Sequence, residues 1–453
     1  MSLIKPEKIR TLQRKLYGKA KAEPEFRFYQ LYDKVWRDDI LEYAYGLARD
    51  NRGAPGVDGV TFAMVEADGR EAWLAALREE LRAKTYRSQP VRRVTIPKPG
   101  GGERPLGIPT IRDRVVQTAV KLVIEPIFEA DLEPNTHGYR PKRSAVDAVQ
   151  QVHGLLLKGY TDVVDADLSK YFDTIPHAEL MQCVARRIVD RQILALIKMW
   201  LKTPVEEKDR DGTRRISGGK SSTMGTPQGG VISPLLANLY INRFLKHWRL
   251  TERERAFRAF VVSYADDFVI LSRGRAGEAL AWTRGVMAQL GLTINEAKTS
   301  VKDARVMPKA CGARGGSTSL VTRSAHTGVD VEGACVRVPV LKQAGPSMKS
   351  IGRVKEKVSD ILTAGNPGTW DEVSDRLNAL LRGWSGYFHY GWRLKAYKTV
   401  DRHVTERVRS FLTRRHKVRG RGYKEFPDKR IHGDLGVLRL IRKSNTTQPW
   451  ALP

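Results

Sequence analysis

Between Val261 and Leu271 the chain reads VVSYADDFVIL, two β-branched and aromatic runs broken by the adjacent carboxylates Asp266 and Asp267. Runs of this kind form strands, and the break between them predicts a hairpin. Neighbouring carboxylates are unfavourable there, because like charges and burial both raise the pKa, unless cations neutralise them. Their hard oxygens suit Mg²⁺, which is held through one or two carboxylates and keeps positions open for water and phosphate. The segment therefore predicts a hairpin carrying a metal-dependent phosphoryl-transfer site. Taken alone it fits an Asp-Asp turn at a surface edge equally well. Two-metal phosphoryl transfer needs a further shared acid. Asp167, in VVDADLSKYFD, stands where an apolar strand breaks into a turn and supplies it. Asp165 and Asp173 compete for that role, and a cap or salt bridge is the expected use of Asp165.

Charge narrows the partner. The 453 residues hold 79 Lys and Arg against 50 Asp and Glu, a formal net charge of +29. Such an excess repels itself in a compact fold unless a polyanion offsets it, and nucleic acid is the first candidate. No apolar run approaches the ~18 residues of a membrane span, and the opening MSLIKPEKIR lacks an apolar signal core, so a cytoplasmic protein without a membrane partner is expected. The three cysteines, Cys183, Cys311 and Cys335, show no CxxC spacing and support neither a disulfide framework nor a zinc ribbon.

The length suggests roughly three domains. Residues 1–85 have apolar positions at helical spacing, punctuated by the Gly/Pro loop NRGAPGVDG. VRRVTIPKPGGGERPLGIPT predicts strand, Gly-rich turn, strand, and helices resume from Ile111 to about Gly159 around NTHGYRPKRS. YTDVVDADLSKYFDTI predicts a strand turning into a helix, HAELMQCVARRIVDRQILALIKMWL one long amphipathic helix, and AGEALAWTRGVMAQLG a helix ended by Gly291. Two further amphipathic helices follow Ser350. From Gly391 onward there are seventeen Lys/Arg against five Asp/Glu, and Trp392, Tyr397, Phe411 and Tyr423 argue for a folded, nucleic-acid-facing module there. The pattern as a whole is that of an α+β protein.

Six blocks then stand in one order from Ile96 to Thr299: IPKPGGGERPLGIPTIRDRVVQ, HGYRPKRSAVDA, DADLSKYFDTIPH, GTPQGGVISPLLANLYIN, YADD and GLTINEAKT. In this the chain resembles a reverse transcriptase, and in particular the reverse transcriptase/maturase encoded by bacterial group II introns. RLNALLRGWSGYFHYG is similar to the thumb, or domain X, of that family, and DRHVTERVRSFLTRRHKVRGRG to the segment after it. No His/Asn/His nuclease motif with cysteine pairs precedes the closing QPWALP, which resembles the endonuclease-lacking branch. The resemblance implies a right-hand polymerase of fingers, palm and thumb, with a mainly helical N-terminal extension and a helical basic C-terminal region. It divides the chain into 1–85 (N-terminal extension and start of fingers), 86–305 (fingers and palm), 306–345 (an anomalous segment), 346–400 (thumb) and 401–453 (basic nucleic-acid-binding segment).

It also implies roles. Asp167 and Asp266 match the metal-ligand aspartates, the backbone carbonyl of Leu168 completes the second ion, and Asp267 matches the third catalytic acid. Tyr264 matches the residue beneath the primer end, and Phe172 the aromatic plate that excludes a 2′-hydroxyl and selects deoxynucleotides. Lys98 and Arg104 match the residues that grip the triphosphate, Gln228 the residue against nucleotide and template base, and Lys298 the lysine that assists the leaving pyrophosphate. Arg140 and Arg143 are expected on template backbone, and Arg414, Arg415, Lys417 and Arg419 on RNA or DNA. The cofactors implied are two Mg²⁺ ions, with Mn²⁺ able to substitute, and the substrates dNTPs. The partners implied are group II intron RNA, a primer and target DNA, and the location a bacterial nucleoid-associated one. The expected function is RNA-directed DNA synthesis from a primer on intron RNA, with RNA binding that assists splicing and retrohoming. A catalytically impaired splicing cofactor, and a domesticated reverse transcriptase of phage defence or CRISPR spacer acquisition, are the alternatives.

One block departs from the family. After GLTINEAKTSVKDAR the family continues with an aromatic Phe-Leu-Gly-Phe or Phe-Leu-Gly-Tyr strand at the palm edge, whereas residues 306–345 here contain no aromatic residue. Synonymous codons for GSTSLVTRSAHT (316–327), shifted by one base, read Phe-Asp-Phe-Leu-Gly-Tyr-Thr-Phe-Gly-Pro-His. The segment is expected to be either a palm edge translated out of frame between two compensating indels, or a lineage-specific loop.

Overall fold

The computed structural model describes residues 3–97, 103–208, 213–227, 229–304, 346–389 and 393–441. Two compact units divide the chain, Met1–Ala148 with Asp162–Lys302, and Val149–Thr161 with Asp303–Pro453.

In the first unit five helices precede any strand: α1 (Glu7–Ala22), α2 (Tyr32–Val35), α3 (Asp38–Asp50), α4 (Phe62–Ala67) and α5 (Arg70–Arg82). Helices α1, α2 and α3 pack on α6 (Ile111–Glu129), which is buried on nearly every face, its polar Asp113, Arg114, Gln117 and Thr118 included. Its start is set by Thr110, whose hydroxyl accepts from the Asp113 amide at 3.1 Å. The Asp113 carboxylate is itself buried and accepts from the Tyr86 hydroxyl (2.6 Å), the Thr110 hydroxyl (2.8 Å) and the Gln89 amide (3.1 Å). The remaining helices of this part of the chain are α7 (Ala145–Leu157), within which the unit boundary falls, α8 (Tyr171–Thr174), α9 (His177–Ala185), α10 (Arg191–Leu201), α11 (Ser233–Leu250), α12 (Arg253–Ala256) and α13 (Ala276–Gln289).

Two four-stranded sheets follow, all but the last residue of β8 in this unit. One has the order β2-β1-β4-β5, from β1 (Val91–Pro97), β2 (Glu103–Ile108), β4 (Pro204–Lys208) and β5 (Arg214–Gly218); the other has the order β6-β7-β3-β8, from β3 (Asp162–Asp167), β6 (Ala259–Tyr264), β7 (Asp267–Ser272) and β8 (Ser300–Asp303). The β1–β2 hairpin is the strand–turn–strand the sequence predicts, with the tip at 98–102 outside the described residues. In the first sheet β1 also pairs in parallel with β4, Val91 opposite Val205. In the second, β7 runs antiparallel to both β6 and β3. Phe244, Trp248, Phe257, Phe268 and Trp282 form an aromatic cluster that joins α11 and α13 to this sheet.

The single long helix expected from His177 to Leu201 is instead two, α9 and α10. Asp190 ends the continuity: one carboxylate oxygen caps α10 through the amides of Gln192 (3.0 Å) and Ile193 (3.3 Å), and the other accepts from Leu31 (2.8 Å) and Tyr32 (2.8 Å). A side chain that satisfies four backbone donors on two segments outweighs the amphipathic periodicity, which runs through the break unchanged.

The second unit has its own core, built on α14 (Met348–Ile361), α15 (Trp370–Tyr387), α16 (Leu394–Arg415) and α17 (Asp428–His432). A capping box at Thr369 and Glu372 starts α15, and Val400, Val404 and Val408 form an i, i+4 stripe along α16 with no exposed surface. Residues 435–441 fold back onto these helices. Asn378 bonds the Gly436 carbonyl (2.8 Å) and the Leu438 amide (2.7 Å), and Asp401 accepts from the amides of Leu440 (2.9 Å) and Ile441 (3.0 Å). Of the four aromatics expected to face nucleic acid, Phe411 is buried in this core and Tyr397 is buried against Trp384, Tyr423 is exposed beneath the Arg409 guanidinium, and Trp392 lies outside the described residues.

Candidate active site

The β6–β7 hairpin is closed by Ala265 and Asp266, with Tyr264 directly opposite Asp267. Ala265 takes φ +59°, the left-handed conformation a two-residue hairpin loop demands at its first position. On the other side of β7, Asp267 stands opposite Asp167, the last residue of β3. Strand register thus places Asp167 and Asp267 side by side, with Asp266 in the adjoining turn. The outcome is electrostatic: burial, then Asp266, Asp167 and Asp165, push Asp267 up to about 7.

Asp167 is held from below by the turn before β8. The Asn295 amide donates to the Asp167 carbonyl at 2.8 Å, the Asn295 side chain reaches the Asp167 carboxylate at 3.2 Å, and Ser169 donates to the Thr293 carbonyl at 2.8 Å. Leu168 bridges to Ile294 within the same contact. Lys298 Nζ lies 2.8 Å from Asp167 Oδ2, and this carboxylate raises the lysine's pKa. Asp165 is paired with Lys302 at 3.2 Å, the salt bridge expected of it, and Asp173 lies on α8. The sequence reading passed over Asn295; its signal was its place three residues before Lys298 in GLTINEAKT.

The HGYRPKR segment lies alongside the hairpin. Thr136 bridges Ser263 in parallel, and the His137 amide donates to the Ser263 carbonyl at 2.9 Å. Gly138 is there because nothing larger fits: an added Cβ would stand 2.2 Å from the Ala265 nitrogen. Arg140 contradicts its expected role on template backbone. Its side chain is 4% exposed, bonded to Glu129 at 2.6 Å and to the carbonyls of Glu133 (2.8 Å) and Thr136 (2.9 Å), so its donors serve the fold. Arg143 is half-buried, with one donor on the Pro134 carbonyl at 2.6 Å.

The nucleotide-side blocks also converge. Phe172, buried in α8, meets the Tyr139 ring edge-on at 6.3 Å, and its carbonyl accepts from the Thr226 amide at 2.7 Å. Past Thr226, Gly229 takes φ +109° and an added Cβ would stand 2.0 Å from the Gly107 carbonyl, so the TPQGG loop touches strand β2. Backbone contacts therefore link the strand bearing Asp167 to the hairpin bearing Arg104. Lys98 and Gln228 lie outside the described residues, and of Arg104 only the backbone is described, in β2. Tyr264 ends β6 beside the acids. Arg414, Arg415, Lys417 and Arg419 are exposed at and beyond the end of α16, in the second unit.

Three carboxylates of hard oxygen, with a raised proton affinity at Asp267, are a donor set suited to divalent cations. Among the described residues no three such side chains close on one common point, since Asp167 is turned onto Lys298 and Asn295. Cys183 is a buried free thiol, and Cys311 and Cys335 lie outside the described residues. No described helix is long and apolar enough to cross a membrane.

The fold is that of a right-hand polymerase, and comparison with known proteins agrees. Residues 96–311 match the family model for reverse transcriptase (RNA-dependent DNA polymerase), and residues 351–426 that for the group II intron, maturase-specific domain. The chain belongs to the group II intron-encoded reverse transcriptases, RNA-directed DNA polymerases of right-hand fold whose chemistry depends on divalent metal. It is 34% identical over 330 residues to protein YkfC of Escherichia coli, a match covering 65% of this chain and 84% of YkfC. It is also 35% identical over 223 residues to the group II intron-encoded protein LtrA of Lactococcus lactis, covering 48% of this chain and 35% of LtrA. A putative COX1/OXI3 intron 1 protein of Saccharomyces cerevisiae is 28% identical over 324 residues, 60% of this chain and 37% of that protein.

Proposed function

We propose that the chain extends a primer on intron RNA with two Mg²⁺ ions held by Asp167, Asp266, the carbonyl of Leu168 and, through weaker contact, Asp267. The observation that carries this reading is the register that sets Asp167 against Asp267 beside the Asp266 turn. Bound there, the ions supply an activated 3′-hydroxyl and charge neutralisation of the departing pyrophosphate. The chain's own residues position the rest. Asn295 fixes the Asp167 carboxylate. Lys298, on Asp167 here, is within reach of the same centre and can pass a proton to the pyrophosphate. Phe172 sits under the incoming sugar, Tyr264 under the primer end, and Lys98, Arg104 and Gln228 on the nucleotide.

Residues 86–305 act as fingers and palm, 346–400 as thumb, and 401–453 as a further RNA-binding segment in which Arg414, Arg415, Lys417 and Arg419 meet phosphate. Arg143 remains a candidate template contact, and Arg140 does not. The RNA partner is the host intron, whose splicing and retrohoming the protein assists, with target DNA as the second partner and the bacterial nucleoid as the location. Primer extension on an RNA template with Mg²⁺ tests the reading. Wild type extends and Asp266→Asn does not, although both bind RNA; no extension by either protein would sink the polymerase and leave the binding role.

A splicing cofactor with an impaired polymerase is the second reading. Its support is the aromatic-free segment 306–345, which falls largely between the two family-model matches and lies outside the described residues.

A further inference from the structure

A cavity of about 100 Å³ opens where the segment after α1, the end of α6, the end of α9 and the C-terminal half of α11 meet. A buried arginine builds it: Arg187 donates to the carbonyls of Ala20 (2.6 Å), Glu23 (3.0 Å) and Phe26 (3.0 Å) and pairs with Asp131 at 3.0 Å. Asn242 completes the frame, donating to the Asp131 carbonyl at 3.1 Å and accepting from the Glu133 amide at 2.9 Å. With those groups committed, the cavity presents Arg186, Arg243 and Lys246 against one unused acid, the exposed Glu25. Arg186 and Lys246 form no ion pair among the described residues, and Arg243 rests on the Tyr240 ring at 5.4 Å.

We propose that this cavity is a second RNA contact of the protein, a pocket for backbone phosphate outside the polymerase centre. Its volume admits one phosphate group. A neighbouring groove shares Pro24, Asp131 and Lys246 with it and adds Lys21 beside the Arg249–Glu133 ion pair (2.9 Å), so lysine charge continues past the pocket as a polymer of phosphates requires and a single free anion does not. Thirteen residues of α11 separate Lys246 from Ser233, beside the TPQGG loop, which is roughly 20 Å of helix. The contact is therefore separate from the nucleotide end of α11. Arg249, in the last turn of α11, also offsets the helix dipole. Arg186 does not, because it lies on another segment and still faces the same cavity.

The inference takes its partner, RNA, from the function proposed above, and its test separates the two. Full-length wild type and the double variant Arg186→Glu/Lys246→Glu are compared in binding a structured RNA across a KCl series, and in extending a short primer–template. Two lost phosphate contacts weaken RNA binding about tenfold at 0.15 M salt and lower the log–log salt slope by about 2. The KM and kcat of short-template extension stay unchanged, which also shows that the variant is folded. An unchanged slope overturns the proposal, as does an equal loss on the short template. Stabilisation of wild type by inorganic phosphate with no change in RNA affinity assigns the pocket to a free anion and overturns it as well. If wild type fails to extend while the slopes differ, the polymerase reading falls and this one stands.

Discussion

Asp267 combines three like charges with partial burial, and the sign of the result can be measured. Its folded pKa, about 7, lies above that of an ordinary carboxylate, so between about pH 4 and 7 the folded chain binds a proton that the unfolded chain has released. Metal-free stability from this group is therefore present at low pH and lost as the pH rises through 7, by about 1–3 kcal/mol. Thermal melts of metal-free Asp267→Asn should lack that loss, and Mg²⁺ should raise the wild-type melting temperature more at pH 8 than at pH 5. Identical pH profiles for the two proteins would refute it. Asn295 makes a separate claim, because it bonds both the carbonyl and the carboxylate of Asp167. Asn295→Ala should raise the Mg²⁺ needed for half-maximal extension and weaken Mn²⁺ binding, read by electron paramagnetic resonance, by about 10–100-fold with little change in RNA affinity. The aspartates were legible because charge clustering in an apolar run is a local property of the chain. Arg140 was misread because only the fold reveals Glu129 beside it.

Helices and strands were legible where periodicity and turn chemistry coincide, as in the β1–β2 and β6–β7 hairpins and in α13 before Gly291. They were missed where a distant segment decided. Strands β4 and β5 were not foreseen; β4 exists as a partner of β1, and that pairing leaves no signal in PVEEK itself. The break between α9 and α10 likewise depends on the Leu31 and Tyr32 amides that share Asp190. Replacing Asp190 with Ala removes an N-cap and strands two buried donors, so it should destabilise the first unit by about 2–4 kcal/mol in urea unfolding. A loss below about 0.5 kcal/mol would show that water or a neighbour replaces the carboxylate.

At the scale of the whole molecule, the net charge of +29 points to a nucleic-acid partner and the order of six blocks resembles that of a polymerase. The two cores were announced less directly, since the unit boundary falls inside α7, where no composition change marks it. The stretch 306–345 remains a claim about the gene. An alternative frame through those codons should encode the Phe-Leu-Gly-Tyr strand, and the corrected chain should extend primers better than the chain as translated. If no frame encodes that strand, the segment is a lineage-specific loop.

The parallel pairing of Val91 with Val205 also sets an order in time. About 110 residues must be synthesised between the two strands, which at ribosomal speed is roughly 5–20 s. Through that interval the β1–β2 hairpin emerges with the edge of β1 open, a template for any passing strand. The emerging chain therefore has a window in which a chaperone, or RNA already held by its basic first helix, α1, would keep that edge from the wrong partner.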